Sequence, residues 1–147
     1  MKRLMNVLFV CRGNVARSQM AEAIFNYLYE RYGHSATSAG TEAEGYAQGT
    51  LANVCSEVVE CMGEIRIDLS DKMPKQLAEE AVRKADRVIV MAETETLPLW
   101  IYNYSNRIEL WEVPDPINGD VAYYKGIRDY IGMNVIGLRD SLVNKTL

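Results

Sequence analysis

Cysteine, basic excess and long apolar runs are all scarce in this sequence, and each scarcity removes a class of protein. Three cysteines in 147 residues, an odd number with no pairing framework, do not build a disulfide scaffold and suit a reducing compartment. No stretch approaches the roughly 18 apolar residues that a membrane-crossing helix needs. The opening Met1-Lys2-Arg3-Leu4-Met5-Asn6 is basic, but the apolar run that follows, Val7 to Cys11, stops at Arg12 and is too short for a signal-peptide core. The formal net charge is −4, which speaks against a general nucleic-acid binder while leaving room for one local cationic pocket. Repeats, linkers and low-complexity tracts are missing too. The expectation is a cytoplasmic monomer folded as one domain over 1–147, with no membrane or nucleic-acid partner, and long enough to bury most of its apolar surface.

What is present alternates between two periodicities. Val7-Leu8-Phe9-Val10 is a short apolar run, the pattern of a strand buried on both faces. A polar loop, Arg12 to Ala16, follows, and Ser18 is placed to cap a helix with Met20, Ile24, Tyr27 and Leu28 on one face, ended by Gly33. Ala36 to Ala39 reads as a second strand. Leu51, Val54, Cys55, Val58, Val59 and Met62 form a helical stripe, and Ser70 or Asp71 is a cap for a helix running to about Ala85. Arg87 to Met91 and Arg107 to Trp111 read as strands, with a short helix between Glu93 and Tyr102. Val113 to Asp120 is a loop by its turn residues, and a last helix is expected from Tyr123 to Val143. Strands alternating with helices predict an α/β fold: a doubly wound, four-stranded parallel sheet with helices on both faces and a phosphate-binding loop after its first strand.

That first loop, Cys11-Arg12-Gly13-Asn14-Val15-Ala16-Arg17-Ser18, is a C-x5-R-S sequence between a buried strand and a helix. Successive backbone N–H groups of such a loop converge as an anion nest, and the helix amino end adds positive potential. Arg17 supplies a planar fork for two oxygens of a phosphate. A cysteine in this field is favoured as the thiolate and lies under a bound phosphorus, placed for in-line attack. Gly13 permits close approach or a positive φ, and Asn14 tolerates a left-handed backbone while bracing the loop with its side chain. Ser18 is a hydrogen-bond partner for the Cys11 sulfur, and Ser38 one for Asn14. Arg12, Gly13, Asn14, Val15, Ala16, Arg17 and Ser18 are thus the expected phosphate-binding loop, with Asn14, Ser18 and Ser38 as its brace.

Cleaving a phosphoester also requires an acid for the departing oxygen. The single histidine, His34, follows a helix stop with no evident companion and reads as a surface-turn residue. Asp115, in Val113-Pro114-Asp115-Pro116, sits in a loop stiffened by two prolines that follows the fourth strand and can reach the mouth of the first. Cys55 and Cys61 read as inert cysteines on one helix, too far apart for a direct bridge. Tyr123 and Tyr124 read as the start of the last helix, with the rim of the mouth as the alternative.

The C-x5-R-S loop near the amino end, Ser38-Ala39-Gly40, Ile67-Asp68-Leu69-Ser70 and Val113-Pro114-Asp115-Pro116 together resemble the low-molecular-weight protein tyrosine phosphatase family, whose fold thioredoxin-coupled arsenate reductases share. The resemblance covers essentially the whole chain. It implies Cys11 as nucleophile, Arg17 as phosphate clamp, Asp115 as general acid, and no metal or organic cofactor. It also implies a phosphotyrosine protein or small aryl phosphate as substrate, with inorganic phosphate or another oxyanion fitting the same loop. The sequence departs from the family pattern at several places. Ala16 stands where many members carry a second, protective cysteine, and Arg12 where a small or apolar residue is usual. Met91-Ala92-Glu93 replaces a Met-Asp, so a bracing carboxylate is expected to be missing. Ile117-Asn118 replaces an aromatic pair, leaving Tyr46 or Tyr123 to wall the substrate. Two rival activities follow from the same loop: arsenate reduction, although residues 88–100 contain no cysteine, and phosphoprotein binding without catalysis.

Overall fold

The computed structural model describes residues 3–45 and 48–142. Four strands, β1 (Asn6–Cys11), β2 (Ser35–Gly40), β3 (Arg87–Val90) and β4 (Ile108–Leu110), form one sheet in the order β2-β1-β3-β4, every pair parallel. The alternation of side chains along β1 sorts the core into two layers. Val7, Phe9 and Cys11 face a layer built with α1 (Arg17–Tyr29), α3 (Ser56–Glu64) and α5 (Val121–Ile136). Leu8 and Val10 face a second layer with Val82, on α4 (Glu79–Lys84), and Ile101, on a 3₁₀ segment, Leu99–Arg107. The expected α/β architecture is therefore the one observed. No helix among the described residues is long and apolar enough to cross a membrane.

The strand order fixes where a ligand fits. From β1 the chain passes through α1 to β2 on one side, then returns across to β3 on the other. The crossovers therefore part at the carboxyl end of β1, the topological switch point where open α/β sheets bind ligands.

Several elements differ from the sequence expectation. The stripe from Leu51 to Met62 is two helices, α2 (Leu51–Val54) and α3, broken at Cys55, whose φ of −155° and ψ of 74° are not helical. No helix starts at Ser70; the chain stays irregular until Glu79 because its backbone is claimed elsewhere. Lys75 N–H donates to Asn14 Oδ1 at 2.8 Å, Lys75 C=O accepts from Gly40, and Leu77 N–H donates to Gly40 C=O. The last helix stops at Ile136 and restarts as α6 (Arg139–Leu142); the expected end at Val143 lies outside the described residues.

His34 is not a surface residue. It is 1% exposed, and its Nδ1 accepts the Met5 N–H at 3.0 Å, so the ring hydrogen must sit on Nε2, which donates to Leu142 C=O at 2.9 Å. The histidine thereby ties the entry to β1 to the last described helix, far along the chain from the loop after β1.

Candidate active site

The loop after β1 is held from behind by a closed set of hydrogen bonds centred on Asn14, which is fully buried at φ 56°. The Lys75 N–H can only donate, so it fixes Oδ1 as the acceptor and turns Nδ2 toward two serines. Nδ2 donates to Ser18 Oγ at 2.7 Å and Ser38 Oγ at 3.0 Å. Ser38, having accepted, donates to Glu22 Oε1 at 2.6 Å. Ser18 Oγ also lies 2.9 Å from Cys11 Sγ, and it is the donor of that pair whenever the sulfur is a thiolate, which can only accept. The Asn14 N–H also reaches Cys11 Sγ, at 3.3 Å. The Ser18 hydroxyl and the Asn14 N–H thus converge on one sulfur. Glu22, the carboxylate at the far end, had no signal in the sequence, since it looks like any solvated helix residue.

The front of the loop is open to an anion. Among the described residues, the backbone N–H groups of Gly13, Val15 and Ala16 have no hydrogen-bond acceptor. A left-handed residue such as Asn14 within a short loop is how such groups are turned to one side. The positive φ falls on Asn14 and not on Gly13. Ser18 does not cap α1; the helix begins one residue earlier, with Ala16 as its flanking residue and no side-chain cap. The helix amino end is thereby left uncapped beside the nest.

Arg17 is 2% exposed and is oriented by backbone: its Nη1 donates to Met91 C=O at 2.7 Å and Val113 C=O at 3.1 Å. Glu93 adds carboxylate contacts at 3.1 Å to Nη1 and 3.5 Å to Nη2, and Asp115 Oδ2 lies 3.4 Å from Nη2. The bracing carboxylate expected to be missing is supplied, one residue later than usual, by Glu93. Burial pushes its carboxyl up, but hydrogen bonds from Arg17 and its own backbone, with the charges of Arg17 and Arg12, outweigh this and hold it below the ordinary value. Arg17 Nε has no partner among the described residues and remains for a ligand.

Cys11, Gly13, Val15, Ala16, Arg17 and Asp115 all line one cavity of about 470 Å³, which Gln48, Val54, Cys55, Glu57, Ile117, Asn118, Gly119 and Tyr124 complete. Asn14, Ser18 and Ser38 stand behind it as the brace. Arg12 does not line it; its Nε donates to Glu42 Oε1 at 2.7 Å, on the flank of the loop. The aromatic wall is Tyr124, while Tyr123 is 44% exposed outside the cavity and Tyr46 lies outside the described residues. Cys55, at the helix break, reaches the same cavity with its thiol 3.6 Å from the Tyr124 hydroxyl. Burial pushes the Cys55 thiol up, and that of Cys61, which is fully buried, up to about 11. No group of His, Cys, Asp and Glu among the described residues is arranged to hold a metal.

A family model for low molecular weight phosphotyrosine protein phosphatase matches residues 6–146. A low molecular weight protein-tyrosine-phosphatase of Acinetobacter johnsonii is 31% identical, over 81% of this chain and 84% of its own. An arsenate reductase of Brevibacillus brevis is 29% identical over 92% and 94%. A protein-arginine-phosphatase of Bacillus subtilis is 30% identical over 85% and 88%. The crystal structure of a low molecular weight protein tyrosine phosphatase from T. tengcongensis superposes with a TM-score of 0.81 at 33% identity, over 94% of this chain and 99% of that one.

Proposed function

Since the chain belongs to the low molecular weight phosphotyrosine protein phosphatase family and is a cysteine-dependent phosphatase by type, we propose that Cys11, Arg17 and Asp115 hydrolyse a protein phosphotyrosine or a small aryl phosphate through a cysteinyl-phosphate. The observation that carries the reading is the sulfur of Cys11 at the floor of an open N–H nest, with the Asn14 N–H and the Ser18 hydroxyl both against it.

A phosphate dianion enters the nest and takes the Arg17 Nε together with part of the Nη2 face. It competes for the guanidinium with Asp115, whose Oδ1 meanwhile accepts the Ile117 N–H at 3.1 Å, and so frees the Asp115 Oδ2 to face the leaving oxygen. The Cys11 thiolate attacks phosphorus as the phosphorus–oxygen ester bond breaks, and Asp115 gives its proton to the departing oxygen. The loop N–H groups and Arg17 hold the charge on the equatorial oxygens throughout. Water then attacks the thiophosphate, Asp115 takes its proton, and the Ser18 hydroxyl receives the thiolate as it leaves. No cofactor is needed for either step. We place the protein in the cytoplasm as a monomer, a setting in which its three free cysteines stay reduced.

Arsenate reduction on the same loop would draw on Cys55, Cys61 or an external thiol, and only the first two belong to this chain. Both are pushed up by burial and stay protonated near neutral pH, so neither is a ready nucleophile. The test is turnover of an aryl phosphate by wild type, Cys11→Ser and Asp115→Asn, with thiol-coupled arsenate reduction measured alongside. The expected result is hydrolysis by wild type, none by Cys11→Ser, and a loss of about 10²–10⁴-fold in Asp115→Asn. Arsenate reduction without hydrolysis would overturn the reading.

A further inference from the structure

The cavity in front of Cys11 is larger than a phosphate, and its outer wall carries a charge that the hydrolysis does not use. Its charged lining consists of Arg17, Asp115 and Glu57. Three other carboxylates around the mouth are each paired to an arginine: Glu42 to Arg12 at 2.7 Å, Glu93 to Arg17 at 3.1 Å, Asp115 to Arg17 at 3.4 Å. Glu57 has no cationic partner among the described residues; its one contact is the Cys55 thiol, 4.0 Å from Oε1. It lies in the first turn of α3, where a carboxylate also favours the helix dipole. That accounts for an acid on this turn, but not for one facing the cavity that holds Cys11 while Glu60, on the same helix, is exposed outside it. Cys55 and Tyr124 line the same cavity: burial is the chief cause that raises both groups, hydrogen bonding pulls the thiol back and the Cys55 contact raises the phenol, and the charges of Glu57 and Asp115 add smaller rises to each. One cavity thus holds Arg17 and the loop N–H groups together with Asp115, which Arg17 partners, and Glu57, which no cation among the described residues partners.

We propose that Glu57 is a specificity-determining residue that receives a cationic side chain neighbouring the phosphorylated residue, so that the enzyme prefers phosphopeptides with lysine or arginine beside the phosphate-bearing residue. The inference rests on the phosphatase reading above. An unpaired carboxylate at the rim attracts such a group and repels an acidic neighbour, and discrimination comes from both effects. Attraction in a partly exposed pair of this kind and the matching repulsion together give a preference of about three- to tenfold.

The test uses two phosphotyrosine peptides that differ only in a lysine or an aspartate beside the phosphotyrosine, compared by kcat/KM at low ionic strength. Wild type is expected to favour the lysine peptide by about three- to tenfold, and Glu57→Gln to bring the ratio within about twofold. Glu60→Gln makes the same change of net charge outside the cavity and is expected to keep the wild-type ratio. Glu57→Lys, if it folds with an unchanged melting profile, is expected to favour the aspartate peptide. A ratio that survives in Glu57→Gln overturns the proposal. So does an equal loss in Glu60→Gln, which assigns the preference to the long-range field of an acidic protein. Failure of wild type on both peptides and on an aryl phosphate would instead overturn the phosphatase reading itself.

Discussion

At the scale of single residues, the account turns on Asn14, whose side chain spends every hydrogen-bonding group it has on the loop. Its Oδ1 takes the Lys75 N–H and a Gln19 N–H at 3.1 Å, and its Nδ2 orients both serines. Two variants separate its backbone from its side-chain role. Asn14→Gly keeps the left-handed conformation and loses the brace, so kcat is expected to fall about ten- to a hundredfold, the worth of one hydrogen bond to a charged sulfur. Asn14→Ala loses both, and is expected to lower stability by a further 1–2 kcal/mol or so, the cost of a left-handed alanine. Equal stability of the two in urea unfolding would contradict the strain argument. Cys11, Arg17 and Asp115 could be singled out from the sequence because residue type and spacing carry the chemistry proposed for them, and the structure brings all three to one cavity. Glu93 and Glu22 were hidden because a carboxylate's partner depends on how the chain turns after a strand or along a helix. His34 was misread for the same reason, since both its partners are backbone groups more than 25 residues away.

At the scale of elements, the loop after β1 is seated against the end of β2, and Gly40 is the contact. A Cβ there would lie 2.6 Å from Arg12 C=O, 2.9 Å from the Asn14 nitrogen and 2.9 Å from the Gly13 carbonyl carbon, all backbone. Nothing flexible can give way, so Gly40→Ala must displace the loop itself. The expected outcome is a stability loss of about 1–3 kcal/mol and weaker competitive inhibition by inorganic phosphate, by about tenfold or more, with kcat/KM falling in step. A Gly40→Ala enzyme with unchanged phosphate inhibition would contradict this seating. The same contact explains which elements could be read from the sequence. The strands were legible from short apolar runs, because a strand buried on both faces has no other composition. The segment from Ser70 to Ala78 was not: its capping residues suggest a helix, but its backbone pairs with Gly40 and Asn14, a tertiary demand that local sequence does not register.

At the scale of the whole molecule, four buried acids share one direction of shift. Burial raises Cys55, Cys61, Tyr29 and Tyr124, with Cys61 reaching about 11 from 9.0. A raised acid keeps its proton in the folded state while the unfolded chain releases it, so the stability it supports is whole below about pH 9 and falls as pH climbs through about 11. Cys61 alone accounts for about 2–3 kcal/mol of that fall. The urea midpoint is expected to drop steeply between about pH 9 and pH 11, and Cys61→Ala, weaker at neutral pH, is expected to show a shallower slope. A slope unchanged by Cys61→Ala would contradict the assignment. The architecture at this scale could be read from the order of strand and helix patterns, whereas the cavity wall formed by Cys55, Glu57 and Tyr124 could not. Those residues meet only because α3 and α5 pack together on one face of the sheet. The central claim is that phosphate is transferred to one sulfur, and the most direct measurement is to quench Asp115→Asn with aryl phosphate in acid and map the phosphoryl group by mass spectrometry. The account predicts a phosphoryl group on the peptide containing Cys11, absent in Cys11→Ala and lost on longer incubation after substrate is exhausted. Hydrolysis that proceeds with Cys11 unmodified at every time point would contradict it.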